Sequence, residues 1–503
     1  MEQKHQRSYR NIVSSTVIFG GAQVMNVLVN LVRGKIVVQI LGAAGIGISA
    51  LFHNTADLIK QYAMVGLDVA AVCNITQAKD DASPDVLAAT IKVVRRLLLC
   101  SSLIGAVSTI ALSYYFASYI FEDLAYLPFI MLMSLAVLFN ILGSGEYAIL
   151  QGMRKYKQIA LCSVVPPLCG LLMGVPIYLL MGTSGIVPAM IVMGVVYFAA
   201  LRFFSRRSMR HLPKTPPVPF RTVWKQGKDI IQFGLIMTTT GLIGVVATFG
   251  ITAFINLVGS ETDLGYYASA NAITMQYVTM VFGAMAASYY PQLARLVNHD
   301  MKEAHQLVNH QTEIILLVVA PMSMLIVLTA PGLIVLLLSR DMLPIVPIVR
   351  FMGISVLMRA LCFPMDYLAL AKGDKKFFFW VEGVWTNVKT FTLMAVFYYY
   401  YGLDGLGYAV VVTGVVDIVV SLILTRWRYG FRLSGQSIKL IVTTFLLVFI
   451  CFAFSFVGDR LWRYLLMGGA TLVCCIYCYR QLDQRIDIPA IFRKFKSKLR
   501  KRS

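Results

Sequence analysis

The sequence predicts an all-α polytopic membrane protein of about fourteen transmembrane helices, built as two pseudo-symmetric six-helix lobes plus two C-terminal helices. Three observations carry this expectation. Apolar runs recur from end to end at the length of about 20 residues that spans about 30 Å of hydrocarbon. Lysine and arginine alternate from one connection to the next, and the first block of spans repeats in the second. Composition agrees: of 503 residues, 58% are hydrophobic and 14% charged, against about 25% charged in soluble proteins. The mean hydropathy is +0.73.

The spans follow in order. Span 1 (12–41) begins after a polar N-terminus and ends at Gly42; it is too long, and on one face too polar, for a signal-peptide core, so no cleavable leader is expected. Span 2 (46–74) stops before Lys79, and spans 3 (90–113) and 4 (128–151) flank an acidic connection holding Glu122 and Asp123. The turn GTSG separates span 5 (158–181) from span 6 (185–204), and GSETD separates span 7 (229–257) from span 8 (265–292). Spans 9 (311–338), 10 (344–371), 11 (377–400), 12 (405–425), 13 (438–457) and 14 (464–480) complete the set, with KGDKK and GLDG marking the ends of 10 and 11. The nine cysteines lie mostly within apolar runs; the C-x-x-C spacing of Cys475 and Cys478 has no second ligand pair, so neither metal nor any other cofactor is expected.

Of the 45 lysines and arginines, 36 fall at the termini, at even-numbered connections or in the span ends beside them, three (Arg340, Arg460, Arg463) in odd-numbered connections, and six deeper inside spans. By the positive-inside rule both termini are cytoplasmic. The net charge of +21 then meets anionic lipid headgroups rather than nucleic acid.

From Gly182 the chain reads GTSGIVPAMIVMGVV and from Gly402 it reads GLDGLGYAVVVTGVV, identical at seven of fifteen positions. AILQG at Gly152 echoes ALAKG at Gly373, and ILGAAGIG echoes LVGSETDLG more weakly, all at offsets near 220. Such an offset covers six spans, so the halves run parallel, related by an axis along the membrane normal. The expected organisation is a lobe at 1–205, a basic cytoplasmic linker at 206–228, a second lobe at 229–430, two extra spans at 431–480 and a basic tail at 481–503.

The six intramembrane cations are Arg33, Lys35, Lys60, Arg350, Arg359 and Lys389. Each must face water, a partner or an anion, so each is a functional candidate. Gln23, Asn26, Asn30 and Arg33 share one face of span 1; His53, Asp57, Lys60 and Asp68 share one of span 2; Asn140, Ser144, Tyr147 and Gln151 lie along span 4. Arg33 lies nine residues from Gly42, about 13 Å from the outer end of span 1, whereas Lys35 points to another face. In the second lobe Glu382, Trp385 and Lys389 share a face, as do Arg359 and Asp366, while Asp417 reads as isolated. The candidate cationic cavity is Arg33, Lys60, Arg359 and Lys389 with Asn26, Asn30 and His53; the acids able to couple an ion are Asp57, Asp68, Glu382 and Asp417. The bland alternative for any one charge is a structural pair such as Asp57–Lys60 or Glu382–Lys389.

ILGAAGIG, YAILQGMRKYKQIA and DYLALAKGDKKFFFWVE resemble the polysaccharide-transporter branch of the multidrug/oligosaccharidyl-lipid/polysaccharide (MOP) exporters, and within it the bacterial O-antigen translocases and the lipid III flippase. The resemblance covers residues 1 to about 430. It implies two lobes in a V around a cationic cavity, and flipping of an undecaprenyl-diphosphate-linked oligosaccharide to the outer leaflet by alternating access. Partners implied are that lipid-linked substrate, membrane lipids and other polysaccharide-assembly membrane proteins. Arg33 and Lys60 correspond in place to cavity arginines of relatives. Typical members have twelve helices; peptidoglycan lipid II flippases have two more, so lipid II remains an alternative cargo. A multidrug or cation antiporter would need an acid-dominated cavity. A polymerase or ligase would need basic catalytic residues on a sizeable outer loop, and residues 113–127 contain no Lys, Arg or His; an enzyme is not expected.

The orientation is directly testable. Cysteines introduced at Glu122 and Glu261 should react with an impermeant thiol reagent added outside intact cells, and one at Thr215 should not; labelling at Thr215 with protection at both other sites would invert the map.

Overall fold

The structure is a computed structural model that describes residues 2–81, 84–210, 220–297 and 299–486; the basic tail beyond 486, part of the linker and the side chain of Gln23 lie outside the described set. Among the described residues there is no strand, and the chain forms fourteen helical rods. These are α1 (2–41), α2 (43–81, interrupted at Val65 and Gly66), α3 (Pro84–Tyr119), α4 (Leu127–Gly152), α5 (156–181) and α6 (Ile186–Ser208). Then come α7 (Phe220–Val258), α8 (Glu261–Leu296), α9 (Met301–Leu337), α10 (Val346–Ala371), α11 (375–401), α12 (403–429), α13 (Gly435–Phe454) and α14 (Arg460–Ile486). Ten stretches are long and apolar enough to cross a membrane. Three of these stretches contain a glycine break and hold two rods each, and α8 lies outside them.

Local chemistry sets the ends. Asp123 accepts the Ala125 N–H before α4, Ser434 accepts the Ser437 N–H at the start of α13, and Asp459 accepts the Leu461 and Trp462 N–H groups at the start of α14. Each satisfies backbone donors that a helix leaves without partners. Gly430 closes α12 in the left-handed conformation, its N–H bonded to the Arg426 carbonyl.

The repeat seen in sequence is a repeat in backbone geometry. Gly182 (φ 57°, ψ −132°) and Gly402 (φ 58°, ψ −140°) make the same sharp break, in a region closed to side-chain-bearing residues. Three residues on, a Cβ at Gly185 would lie 2.9 Å from the Ile177 carbonyl oxygen, and one at Gly405 would lie 2.1 Å from that of Phe397. The partners, like the glycines, are 220 residues apart.

Packing divides the chain into two compact units, residues 1–265 with 337–341, and residues 266–336 with 342–503. In the first, α3, α4 and α6 pack tightly, and α7 lies against α2 and α3. In the second, one continuous core joins α8, α9, α10, α13 and α14 through residues such as Tyr289, Leu316, Leu357, Val448 and Met467. Cys451, Cys474 and Cys478 belong to it, so these thiols are packing groups. The two final helices are also tied by polar contacts: buried Glu313 of α9 accepts from Ser437 of α13 and from Arg485 of α14.

One contact inside the first unit is unusually close. A Cβ at Gly47 would lie 1.9 Å from the Glu261 carbonyl oxygen, and one at Gly265 would lie 1.8 Å from that of Ala43. The first turns of α2 and α8 thus meet backbone to backbone, reciprocally, at repeat-related positions. Around them the Tyr126 hydroxyl donates to Glu261, Asn54 donates to Thr252, and Asn256 donates to the Ile120 carbonyl. Glu261 is half-buried here, which leaves Glu122 as the more open labelling site. Gly47→Ala should destabilise the purified protein by about 1–3 kcal/mol, the usual cost of overpacking. Gly34→Ala, where nothing lies within 4 Å, should be neutral. Equal melting temperatures for both variants would show that the contact is not tight.

Candidate functional site

A cavity of about 440 Å³ opens inside the first unit between α1, α2, α4, α5 and α6. The polar stripes of α1, α2 and α4 converge on it through Asn26, His53, Asp57, Lys60, Asn140 and Tyr147. Spacing of three and four residues stacks them on one face of each helix, which is why they meet. The His53 Nδ1 is 2.9 Å from the Ser49 carbonyl, and Asn30 donates to the Asn26 side chain at 2.7 Å. Sequence reasoning did not single out Ser163, Cys162 or Tyr197, which complete the wall from α5 and α6.

Not every candidate reaches this cavity. Arg33 sits further along α1, against the π-helical turn Gly170–Gly174 of α5, where a Cβ on Gly170 would come 3.1 Å from its guanidinium. The Tyr178 side chain hydrogen-bonds to it. Seven residues separate Arg33 from Asn26, about 10 Å along the helix. Asp68 starts the segment after the Val65–Gly66 break and accepts the Val69 N–H.

The second unit holds a cavity of about 390 Å³ lined by Arg359, Asp366 and Glu382 among Phe282, Phe363, Tyr367 and Phe378. Asp366, which joined Arg359 on one face of the sequence but was not a ligand candidate, accepts from Ser421 at 2.7 Å. Lys389 does not join these groups. It is buried and paired with Asp417, so Asp417 is not isolated. The reason is a π-helical turn over Phe379–Trp385, which shifts the register between Glu382 and Lys389. Arg350 is a structural cation: buried, it faces the carbonyls of Val327 and Ser455, each at 3.4 Å.

The two units put different chemistry at equivalent places. Glu146 and Asp366 are 220 residues apart. Glu146 is buried and held by Arg95 through two bonds (2.8 and 2.9 Å) and by Arg202, so its charge is fully countered. Asp366 instead opens into the cavity with Glu382. Likewise Cys162 and Tyr197 stand where the second unit has Glu382 and Asp417. Beyond the spans, burial opposes ionisation of Asp374, but hydrogen bonds from Arg428, the Phe377 N–H and Tyr429 hold its carboxyl below the usual range. Among the described residues, no group of three or more His, Cys, Asp or Glu could hold a metal ion.

A family model described as polysaccharide biosynthesis protein matches residues 36–347, more than half the chain. The chain belongs to that family. No curated protein matches the sequence. Among solved structures, the chain is similar to an inward-facing multidrug-resistance MATE transporter of the MOP superfamily (17% identity, 82% of this chain and 98% of that one, TM-score 0.67). It is also similar to the lipid II flippase MurJ in an inward closed conformation (14%, 94% and 99%, TM-score 0.68). A third similar structure is a MOP superfamily transporter from Pyrococcus furiosus, whose title reports a binding pocket of reverse polarity (16%, 83% and 94%, TM-score 0.52). The fold of this polysaccharide biosynthesis protein is therefore that of the MOP exporters.

The Lys389–Asp417 pair lends itself to a double-mutant cycle. Lys389 is 5% exposed and Asp417 31%, so Lys389→Met should cost less than the ~3–5 kcal/mol of a fully buried pair broken on one side. About 1–3 kcal/mol is expected, with much of it recovered in Lys389→Met/Asp417→Leu. A double variant no more stable than the single one would show that the pair is not coupled.

Proposed function

We propose that this family member flips an undecaprenyl-diphosphate-linked oligosaccharide, an O-antigen or related surface-polysaccharide unit, from the cytoplasmic to the outer leaflet of a bacterial inner membrane. The observation that carries this reading is the polar cavity of the first unit, with Lys60 and His53 in its wall and Arg33 a few turns along α1. A diphosphate cannot enter hydrocarbon unaided. Buried cations offer it charge-assisted bonds at mid-membrane, and a guanidinium can grip a phosphate at two oxygens at once. The lipid tail stays in the bilayer while two lobes, taken as residues 1–205 and 229–430, alternate access to the headgroup. Both termini are taken as cytoplasmic from the basic residues.

The sequence contains no G-x-x-x-x-G-K-[ST] loop, so an ion gradient or the membrane potential is the proposed source of energy. Asp366, Glu382 and Asp417 of the second unit, with Asp57 in the first, are the proposed coupling carboxylates, and Arg359 and Lys389 set their electrostatics. A lipid II flippase is the second reading, favoured by one observation: the MurJ likeness extends over 94% of this chain.

Reconstitution into liposomes with candidate lipid-linked sugars on one leaflet, followed by lectin access from outside, tests the substrate class. Arg33→Ala should lower flipping about ten- to hundredfold, the loss of one charge-assisted contact, while Arg33→Lys keeps part of it. Lys35→Ala should do less. Equal tolerance of alanine at both positions would remove Arg33 from the substrate path.

A further inference from the structure

The wall that α4 and α6 give to the first cavity is built around an aromatic ring with no room to move. The Cδ1–Cε1 edge of the Tyr197 ring lies against Gly143, where a Cβ would come 2.4 and 2.6 Å from those two atoms. A side chain at 143 would therefore displace the ring. Tyr147 flanks it, and both tyrosines pack on the buried cluster of Leu150, Ile159, Cys162 and Leu201 while lining the cavity. The Tyr197 and Ser144 side chains hydrogen-bond, which orients the phenol further.

The amides that share the cavity suit hydroxyls, while Lys60 and His53 in the same lining suit phosphate. Asn140 donates one amide hydrogen to the Ala136 carbonyl at 2.9 Å, so its oxygen and its second N–H are what it can offer a ligand. Asn26 has its oxygen engaged by Asn30 at 2.7 Å, so its nitrogen is the donor. The volume, about 440 Å³, falls within the roughly 300–1,000 Å³ of small-ligand sites. At the position equivalent to Tyr197 the second unit carries Asp417, engaged by Lys389. The phenol at this position is thus particular to the first half, whereas Tyr147 has Tyr367 as its counterpart in the second cavity.

We propose that Tyr197, its ring edge held against Gly143 and Tyr147 beside it, is the platform on which a pyranose ring of the lipid-linked saccharide rests, with Asn26 and Asn140 reading its hydroxyls. The C–H face of a sugar ring presents positive hydrogen edges, which pack on the negative face of an aromatic ring. The inference rests on the substrate class proposed above and adds a division of labour: this wall senses the saccharide, and the cations sense the diphosphate.

The test compares two probes on the protein in nanodiscs: undecaprenyl diphosphate, and the same lipid carrying the saccharide whose flipping the liposome assay detects. Wild type should bind the glycosylated lipid more tightly. Tyr197→Ala should weaken that lipid about three- to tenfold and leave the bare lipid unchanged, with Tyr197→Phe close to wild type. Gly143→Ala should mimic Tyr197→Ala, and Tyr197→Leu guards against collapse of the wall by keeping bulk without the ring. Equal weakening of both lipids in Tyr197→Ala and Tyr197→Leu would make Tyr197 a packing residue and overturn the inference, as would a wild type that binds both lipids alike. If no lipid-linked saccharide is flipped or bound at all, the substrate class itself fails, and the inference with it.

Discussion

Hydrocarbon offers no partner to a charge or an amide, so every polar side chain placed within these helices has to find its counterpart inside the protein or in a water-filled space. Much of the described structure can be understood as solutions to that constraint. Arg350 turns to two backbone carbonyls, Glu146 takes two arginines, and Glu313 takes Arg485 and a serine hydroxyl. Lys389 takes Asp417. Many of the other charges line two cavities: His53, Asp57 and Lys60 in one, Arg359, Asp366 and Glu382 in the other. Most of the charges proposed for function are thus ones that packing does not consume, and Asp417, 31% exposed beside Lys389, is an exception.

Duplication supplied the frame, and divergence supplied the difference. Backbone demands have been kept in both halves, because Gly182 and Gly402 occupy a conformation other residues avoid and Gly185 and Gly405 face a carbonyl at contact distance. Side chains at two pairs of equivalent positions, in contrast, have parted: the thiol of Cys162 and the phenol of Tyr197 in one half, the carboxylates of Glu382 and Asp417 in the other. Two sites of opposite character have thereby arisen from one architecture, as a carrier that couples two unlike solutes would need.

Sequence made the helices legible because membrane spans are set by length and hydropathy, and the glycine breaks fell where the repeat put them. The stripe on α2 and the Asn26 position were legible for the same reason, since regular helical spacing carries residues 53, 57 and 60 to one face. Legibility failed where the helix is not regular. The π-helical turns at Gly170–Gly174 and Phe379–Trp385 change the residues per turn, so Glu382 and Lys389, aligned on an ideal wheel, go to different partners. It failed too where a charge looked like part of a loop: Arg95 and Arg202 read as juxtamembrane cations, yet they clamp Glu146. Tyr197 carries no charge to draw notice, although its place opposite Asp417 in the repeat was a usable signal.

The two final helices bear on what counts as the smallest working version of this protein. Glu313 on α9 is 5% exposed, and its partners Ser437 and Arg485 come from α13 and α14. The core beneath it runs without a seam from Leu316 and Leu357 into Val448 and Met467. A chain ended before Gly435 would present that surface to lipid with a carboxylate stranded beside it. Without the pair, α9 and α10 would need a different, lipid-facing surface. The two helices are built into the core, not hung on its outside.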